Sequence, residues 1–387
     1  MERIAEVDGL RAVAALSVFA VHAFAAPVIV RFTHGGWAGV DLFFVISGYL
    51  ITTILLGMKG DPNYFKNFYM RRTLRIFPPY YLFFLICFVG TIFASHSPLS
   101  PRLWLAFALY GASLTVVQHW FAGAISHVPV PMRAIHVTWS LSIEELFYLL
   151  WAPAVRFLKE RQLLRLVIGA IVVAPLVRWW VRDLGGHAEY YFLPARVDSI
   201  AFGALLAVLR RSGRLKHVPG YLAAVCSLVT AFLLIVITDP QEQKWFAIIG
   251  YSVIAVNMAV LLGYVLEHAG SSDLLCRLLR SRVLVRVGTV SYMFYLLHLF
   301  VLLMYPSMSD LFPSHHWAGR TLHLVLSFFT IYFLAELSWR FFETPILRLK
   351  SRFESKGEGA ITESAIGFHK RKPVSVESAG EVKAGVP

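Results

Sequence analysis

Residues 37–57 read WAGVDLFFVISGYLITTILLG, a run whose single charged residue is Asp41. At 1.5 Å per residue, a helix of that length crosses a hydrocarbon core of about 30 Å. Outward from it, apolar runs recur at 10–30, 77–95, 101–119, 139–158, 163–181, 195–209, 218–237, 245–266, 283–305 and 320–342. The 387-residue chain is 57% hydrophobic and 15% charged, whereas a soluble domain carries roughly a quarter charged residues. Its mean hydropathy is +0.63. These properties define an all-α, polytopic integral membrane bundle, with one membrane domain over residues 1–350. Residues 351–387 mix Glu, Lys, Gly, Ser and Val without apolar periodicity, which predicts a disordered cytoplasmic tail.

The net charge of +13 would suit a nucleic-acid partner, but its distribution excludes that class. The cations fall in short clusters between apolar runs: Arg71, Arg72 and Arg75; Lys159, Arg161 and Arg165; Arg210, Arg211, Arg214 and Lys216; Arg277, Arg280 and Arg282; Arg348, Lys350 and Arg352. Such clusters mark cytoplasmic loops and meet anionic lipid headgroups. Successive clusters must then be separated by an even number of crossings. Three runs lie between the cluster at 59–75 and that at 156–165, so one of them does not cross. The run at 101–119 starts at Pro101 and Arg102 and leads into a stretch containing Pro and His. It is the expected re-entrant or interfacial segment, tolerated at membrane depth where protein or a wet cavity covers it. The expectation is ten spans with both termini cytoplasmic. Glu2, Glu6 and Asp8 offset Arg3 and Arg11 at the N-terminus, so the basic region of a signal peptide is missing and the first span is expected to stay uncleaved. Cys87, Cys226 and Cys276 follow no metal or redox spacing. The fourteen histidines are dispersed, and the His315-His316 pair lacks carboxylate company, so no metal is expected.

Polar residues inside the spans are the candidates for chemistry. Arg11 and His22 are eleven residues apart, which on a helix returns to within about 20° of one face and separates them by about 16 Å along the axis. Arg11 is expected at the cytoplasmic boundary and His22 near mid-bilayer. Asp41, near the outer end of the second span, could pair with His22 or with a substrate hydroxyl. Arg72 and Arg75 share a helix face, and two guanidiniums at a helix entrance suit a polyphosphate, although such clusters also serve as anchors. Glu144 and Glu145 are adjacent in Trp-Ser-Leu-Ser-Ile-Glu-Glu, residues 139–145. Neighbours on a helix point about 100° apart, so only one of the two is expected to face a site. Arg196 and Asp198 are expected to form a structural ion pair, and His298 is a second histidine within a span.

In their order and spacing, these stretches resemble the bacterial membrane acyltransferase-3 family. The carriers are Arg11-x10-His22, Gly-Val-Asp-Leu-Phe-Phe-Val-Ile-Ser-Gly-Tyr at 39–49, Arg72-x-x-Arg75 followed by Ile-Phe-Pro, and the stretch at 139–145. Ser-Tyr-x-x-Tyr-x-x-His at 291–298 and Glu343-x-Pro345 complete the set. The resemblance covers residues 6 to about 347. It implies a multi-pass enzyme of the bacterial cytoplasmic (inner) membrane that moves an acyl group, usually acetyl, from cytoplasmic acyl-CoA to a hydroxyl of a carbohydrate or glycolipid. Acetyl-CoA would be the co-substrate, and Arg11 and His22 match residues regarded as essential there. Some members carry an appended esterase-like domain, which residues 1–387 do not show. The expected site joins His22, Glu145 and Asp41 as catalytic groups to Arg11, Arg72 and Arg75 as donor-binding groups. His22 would act as general base or as a covalent acyl carrier. A transporter or flippase without group transfer is the rival reading, since midplane charges also mark that class.

Overall fold

The computed structural model describes residues 4–23, 34–94, 101–114, 129–184, 187–215, 217–237, 243–305 and 316–353. The five-residue end of the 101–119 run and the tail from 354 onward lie outside them. Among the described residues every regular element is helical. The principal helices are α1 (Ala5–Ala23), α2 (Ala38–Gly57), α3 (Tyr64–Ala94), α4 (Pro101–Ala108), α5 (Trp139–Phe157), α6 (Glu160–Val181), α7 (Leu193–Arg211), α8 (Gly220–Val236), α9 (Tyr251–Glu267), α10 (Arg282–Met304) and α11 (His316–Ser338). Seven of the described helices are long and apolar enough to cross a membrane. Three more are less apolar or shorter. α1 carries Glu6, Asp8 and Arg11, α5 carries Glu144, Glu145 and Arg156, and α8 has 17 residues. Each expected run other than 101–119 overlaps one of these ten helices, with residues 24–30 of the first run outside the described residues.

The bundle is apolar outside and polar within. Val172, Leu176, Leu228 and Phe232 on α6 and α8 are more than half exposed, while Asp41, Arg178, Arg196 and Asp198 are fully buried. Helices that must bring polar groups together need close backbones, and glycine permits this. A Cβ added to Gly48 of α2 would lie 2.0 Å from the Ile200 carbonyl oxygen, and one on Gly203 of α7 would lie 2.0 Å from that of Val45. α1 and α10 run side by side in the same direction, Asp8 meeting Gly288 near their starts and Phe19 meeting Phe294 further along.

The basic clusters gather on one face. Glu6 of α1 meets Arg280 at 3.5 Å, Glu160 of α6 meets Arg214 at 3.9 Å, and Lys59 Nζ donates to the Leu158 carbonyl at 2.5 Å. Arg156 closes the last contact by donating to the Lys59 carbonyl.

α4 does not cross. Its eight residues reach only about 12 Å, and it descends antiparallel to α3 from that helix's far end. Trp104 packs on Phe84 and Phe88, Tyr80 donates to the Phe107 carbonyl at 2.5 Å, and Tyr110 stacks on Tyr80 at 4.0 Å. Tyr110 holds a left-handed backbone, φ 56°, where the descent stops against Ser142 of α5. By residue 131 the chain is back at the far end, because a Cβ on Gly90 would lie 3.1 Å from Pro131 Cγ. The segment between α3 and α5 therefore enters and leaves on one side, as the charge distribution requires.

Candidate active site

α3 has 31 residues, or about 46 Å, more than a bilayer core needs. Its first turns therefore stand at the basic face and carry Arg71, Arg72 and Arg75 into a cavity of about 430 Å³. Arg11 from α1 and Lys350 from the segment after α11 add two cations, against Asp8, Glu144 and Glu145. The size falls within the roughly 300–1,000 Å³ usual for small-molecule sites. Along α2 the lining runs from Met58 to Val40, which is about 27 Å of helix. The cavity thus begins at the basic face and penetrates most of the bundle.

Its walls carry linked polar groups. Ser47 donates to the Tyr148 hydroxyl, which donates to Glu144 Oε2 at 2.8 Å. The Arg72 guanidinium lies 5.6 Å from the Tyr148 ring centre. Glu145 Oε1 is buried with no hydrogen-bond partner among the described residues. Both glutamates line the cavity, so the expectation that only one would face the site is corrected. The cavity is wide enough to span the 100° between adjacent positions.

At the inner end, Ser140 of α5 and Tyr295 of α10 close the cavity, their hydroxyls 2.7 Å apart. Tyr295 also donates to the Val137 carbonyl at 3.2 Å. Beyond this contact lie two imidazoles. His298 is one turn past Tyr295 with its ring centre 5.3 Å from the phenol ring, and His22 packs edge to face on His298 at 5.0 Å. His22 Nδ1 donates to the Val18 carbonyl at 2.8 Å, and His298 Nδ1 donates to that of Tyr295. A carbonyl can only accept, so both Nδ1 atoms hold a proton, and in the neutral ring each Nε2 presents a lone pair. His22 is exposed whereas His298 is 1% exposed. His22 lies eleven residues beyond Arg11 on α1, about 16 Å along the axis. It is not among the residues lining the cavity. The expected continuous track from Arg11 to His22 is thus divided by the Ser140–Tyr295 contact.

Arg11, Arg72, Arg75 and Glu145 meet in the cavity as expected. Asp41 does not pair with His22. It accepts from Arg196 at 2.8 Å and from Ser199 at 2.7 Å, and Arg196 sits 4.2 Å above the Tyr251 ring. Nor do Arg196 and Asp198 pair with each other. Asp198 takes a two-pronged contact from Arg178 at 2.9 and 3.1 Å and a hydroxyl from Ser252 at 2.5 Å. Residues two apart on a helix point away from one another, and each found its partner on a neighbouring helix. Sequence reading missed Ser140, Tyr148 and Tyr295 as lining groups. Tyr295 and His298, three apart and on one helix face with His22 opposite, carried the available signal.

The profile of an acyltransferase domain matches residues 4–339. The peptidoglycan O-acetyltransferase OatA of Listeria monocytogenes is 28% identical over 372 residues, covering 89% of this chain and 56% of that protein. YrhL of Bacillus subtilis, provisionally named a peptidoglycan O-acetyltransferase, is 32% identical over 367 residues, 88% of this chain and 54% of its own. A protein of Staphylococcus aureus strain COL, provisionally named an O-acetyltransferase, is 26% identical over 370 residues, 89% of this chain and 57% of its own. The chain spans about half the length of these relatives. No solved structure matches it.

Proposed function

The chain belongs to the acyltransferase family whose domain profile covers residues 4–339, and on that premise we propose that it moves an acyl group from cytoplasmic acyl-CoA to a glycan hydroxyl. The observation that carries this reading is the cation-lined cavity that runs inward from the basic face and ends beside a pair of imidazoles. Under it, the basic face is cytoplasmic, both termini lie there, and the membrane is the bacterial inner membrane. Arg11, Arg72 and Arg75 hold the phosphates of coenzyme A, because guanidinium forks match phosphate oxygens and the phosphorylated head cannot enter hydrocarbon cheaply. The uncharged pantetheine arm extends along α2 toward Tyr295, and acetyl is the acyl group to expect.

His22 is the exposed base. With Nδ1 protonated, its Nε2 takes the proton of the attacking acceptor hydroxyl, the role imidazole fills best near neutral pH. The acceptor reaches it from the far side, and peptidoglycan, named in two relatives, is the first acceptor to try. Glu145 contributes to the donor pocket, and Asp41 holds α2 to α7.

Purified protein in proteoliposomes, supplied with labelled acetyl-CoA and peptidoglycan, is expected to release CoA and label the glycan. Movement of label across the bilayer without CoA release would instead make the protein a transporter or flippase.

A further inference from the structure

His298 has no place in a mechanism that uses His22 alone, yet it is the more constrained of the two rings. It is 1% exposed, its Nδ1–H is fixed on the Tyr295 carbonyl, and its Nε2 has no hydrogen-bond partner among the described residues. A buried polar atom without a partner is uncommon and calls for a physical reason. Its position supplies one: His298 stands between the inner end of the cavity at Ser140 and Tyr295 and the exposed ring of His22. Of the two rings, His298 is the nearer to a thioester held at the inner end of the cavity, and His22 is the exposed one, open to an acceptor.

We infer that His298 is a second catalytic residue, the nucleophile that carries the acyl group between thioester and acceptor, so that transfer proceeds by double displacement. The inference rests on the reading that an acyl thioester occupies the cavity. In the first step, the Nε2 lone pair of His298 attacks the thioester carbonyl carbon. The N–C bond forms, the C–S bond breaks, and the thiolate leaves with that electron pair. The ring then bears the acyl group on Nε2 and its proton on Nδ1, a cationic acylimidazolium balanced by the thiolate. In the second step, the acceptor oxygen attacks the acyl carbon, its proton passes to Nε2 of His22, and the C–N bond returns its pair to His298. Coenzyme A leaves after the first step, its thiolate taking a proton from water to become the free thiol, and His22 returns the acceptor's proton to water, so the protons balance over the cycle. Burial suits this division of labour, because an acylimidazolium exposed to water would be hydrolysed.

The test is isotope exchange without acceptor. Detergent-purified wild-type protein, given acetyl-CoA and labelled CoA, is expected to move label into acetyl-CoA, since the first step is reversible. His22→Ala should keep this exchange while losing transfer to peptidoglycan. His298→Ala and His298→Gln should both lose it, by about 100-fold or more, while binding acetyl-CoA with unchanged affinity. That affinity separates a missing nucleophile from a collapsed fold. Mass spectrometry should find a hydroxylamine-labile acetyl group on the peptide containing His298, accumulating in His22→Ala. Exchange that persists in His298→Ala overturns the inference. So does a wild-type protein that acetylates peptidoglycan without showing exchange, since transfer is then direct. Wild-type protein that neither binds nor consumes acetyl-CoA removes the donor reading, and the relay with it.

Discussion

Arg72 and Asp41 separate two roles that a charged residue can take inside this bundle. Arg72 lines the cavity, and its loss removes a charged hydrogen-bond donor to phosphate worth about 1.5–3 kcal/mol. Arg72→Ala should therefore weaken acetyl-CoA binding about 10- to 100-fold by titration calorimetry, with the melting temperature little changed. Unchanged affinity would make the arginines anchors only. Asp41 is fully buried against Arg196 and Ser199. Breaking such a pair from one side costs about 3–5 kcal/mol. Asp41→Ala should lower thermal stability and membrane abundance, and the surviving folded protein should keep its affinity for acetyl-CoA. At this scale the sequence spoke through local spacing. Arg72 and Arg75 three apart placed themselves correctly, because helix geometry alone decides it. Asp41 and Arg196 are 155 positions apart, and nothing local could pair them. Glu144 and Glu145 were misjudged because helix geometry says where residues point but not how wide the space between helices is.

Two helix contacts carry the architecture. α2 and α7 cross with their backbones nearly touching, so Gly203→Val would drive a side chain into the Val45 carbonyl. The expected outcome is protein that fails to reach a monodisperse peak in size-exclusion chromatography, whereas Gly60→Ala, with open space around it, should behave as wild type. α4 hangs on α3 by side-chain hydroxyls rather than by continuous helix packing. Tyr80→Phe removes the bond to the Phe107 carbonyl, worth about 1 kcal/mol, and should lower the melting temperature by a few degrees without changing acetyl-CoA affinity. The element scale was largely legible. The runs at 37–57 and 283–305 read as helices from length and apolarity, and the odd spacing of basic clusters singled out 101–119. The depth of that segment was not legible, because it depends on aromatic stacking between Tyr80 and Tyr110, whose fit is a property of the packed interior.

The whole molecule sorts its charges by side, and this can be checked without knowing any substrate. In a background with Cys87, Cys226 and Cys276 replaced, Pro62→Cys in the exposed turn between α2 and α3 should react with an impermeant maleimide only after the inner membrane is opened. Arg102→Cys, exposed at the start of α4, should react in intact spheroplasts. Reactivity of both from one side would overturn the re-entrant path. The bulk composition announced the membrane bundle, and the even spacing of most basic clusters announced that they would gather on one face. The meeting of His22 with His298, from helices 276 positions apart, had to await the fold. One feature of that meeting reaches beyond chemistry. The cavity runs up to the Ser140–Tyr295 contact, and beyond it lie the buried His298 and the exposed His22, so a short polar stretch of hydroxyls and imidazoles is what separates the cavity from the surface at His22. A membrane voltage then drops across that stretch, where each elementary charge moved is worth about 2.3 kcal/mol per 100 mV. A proton or an acyl cation crossing it moves through the cell's electric field, so the turnover of this protein should rise and fall with the energisation of the membrane that holds it.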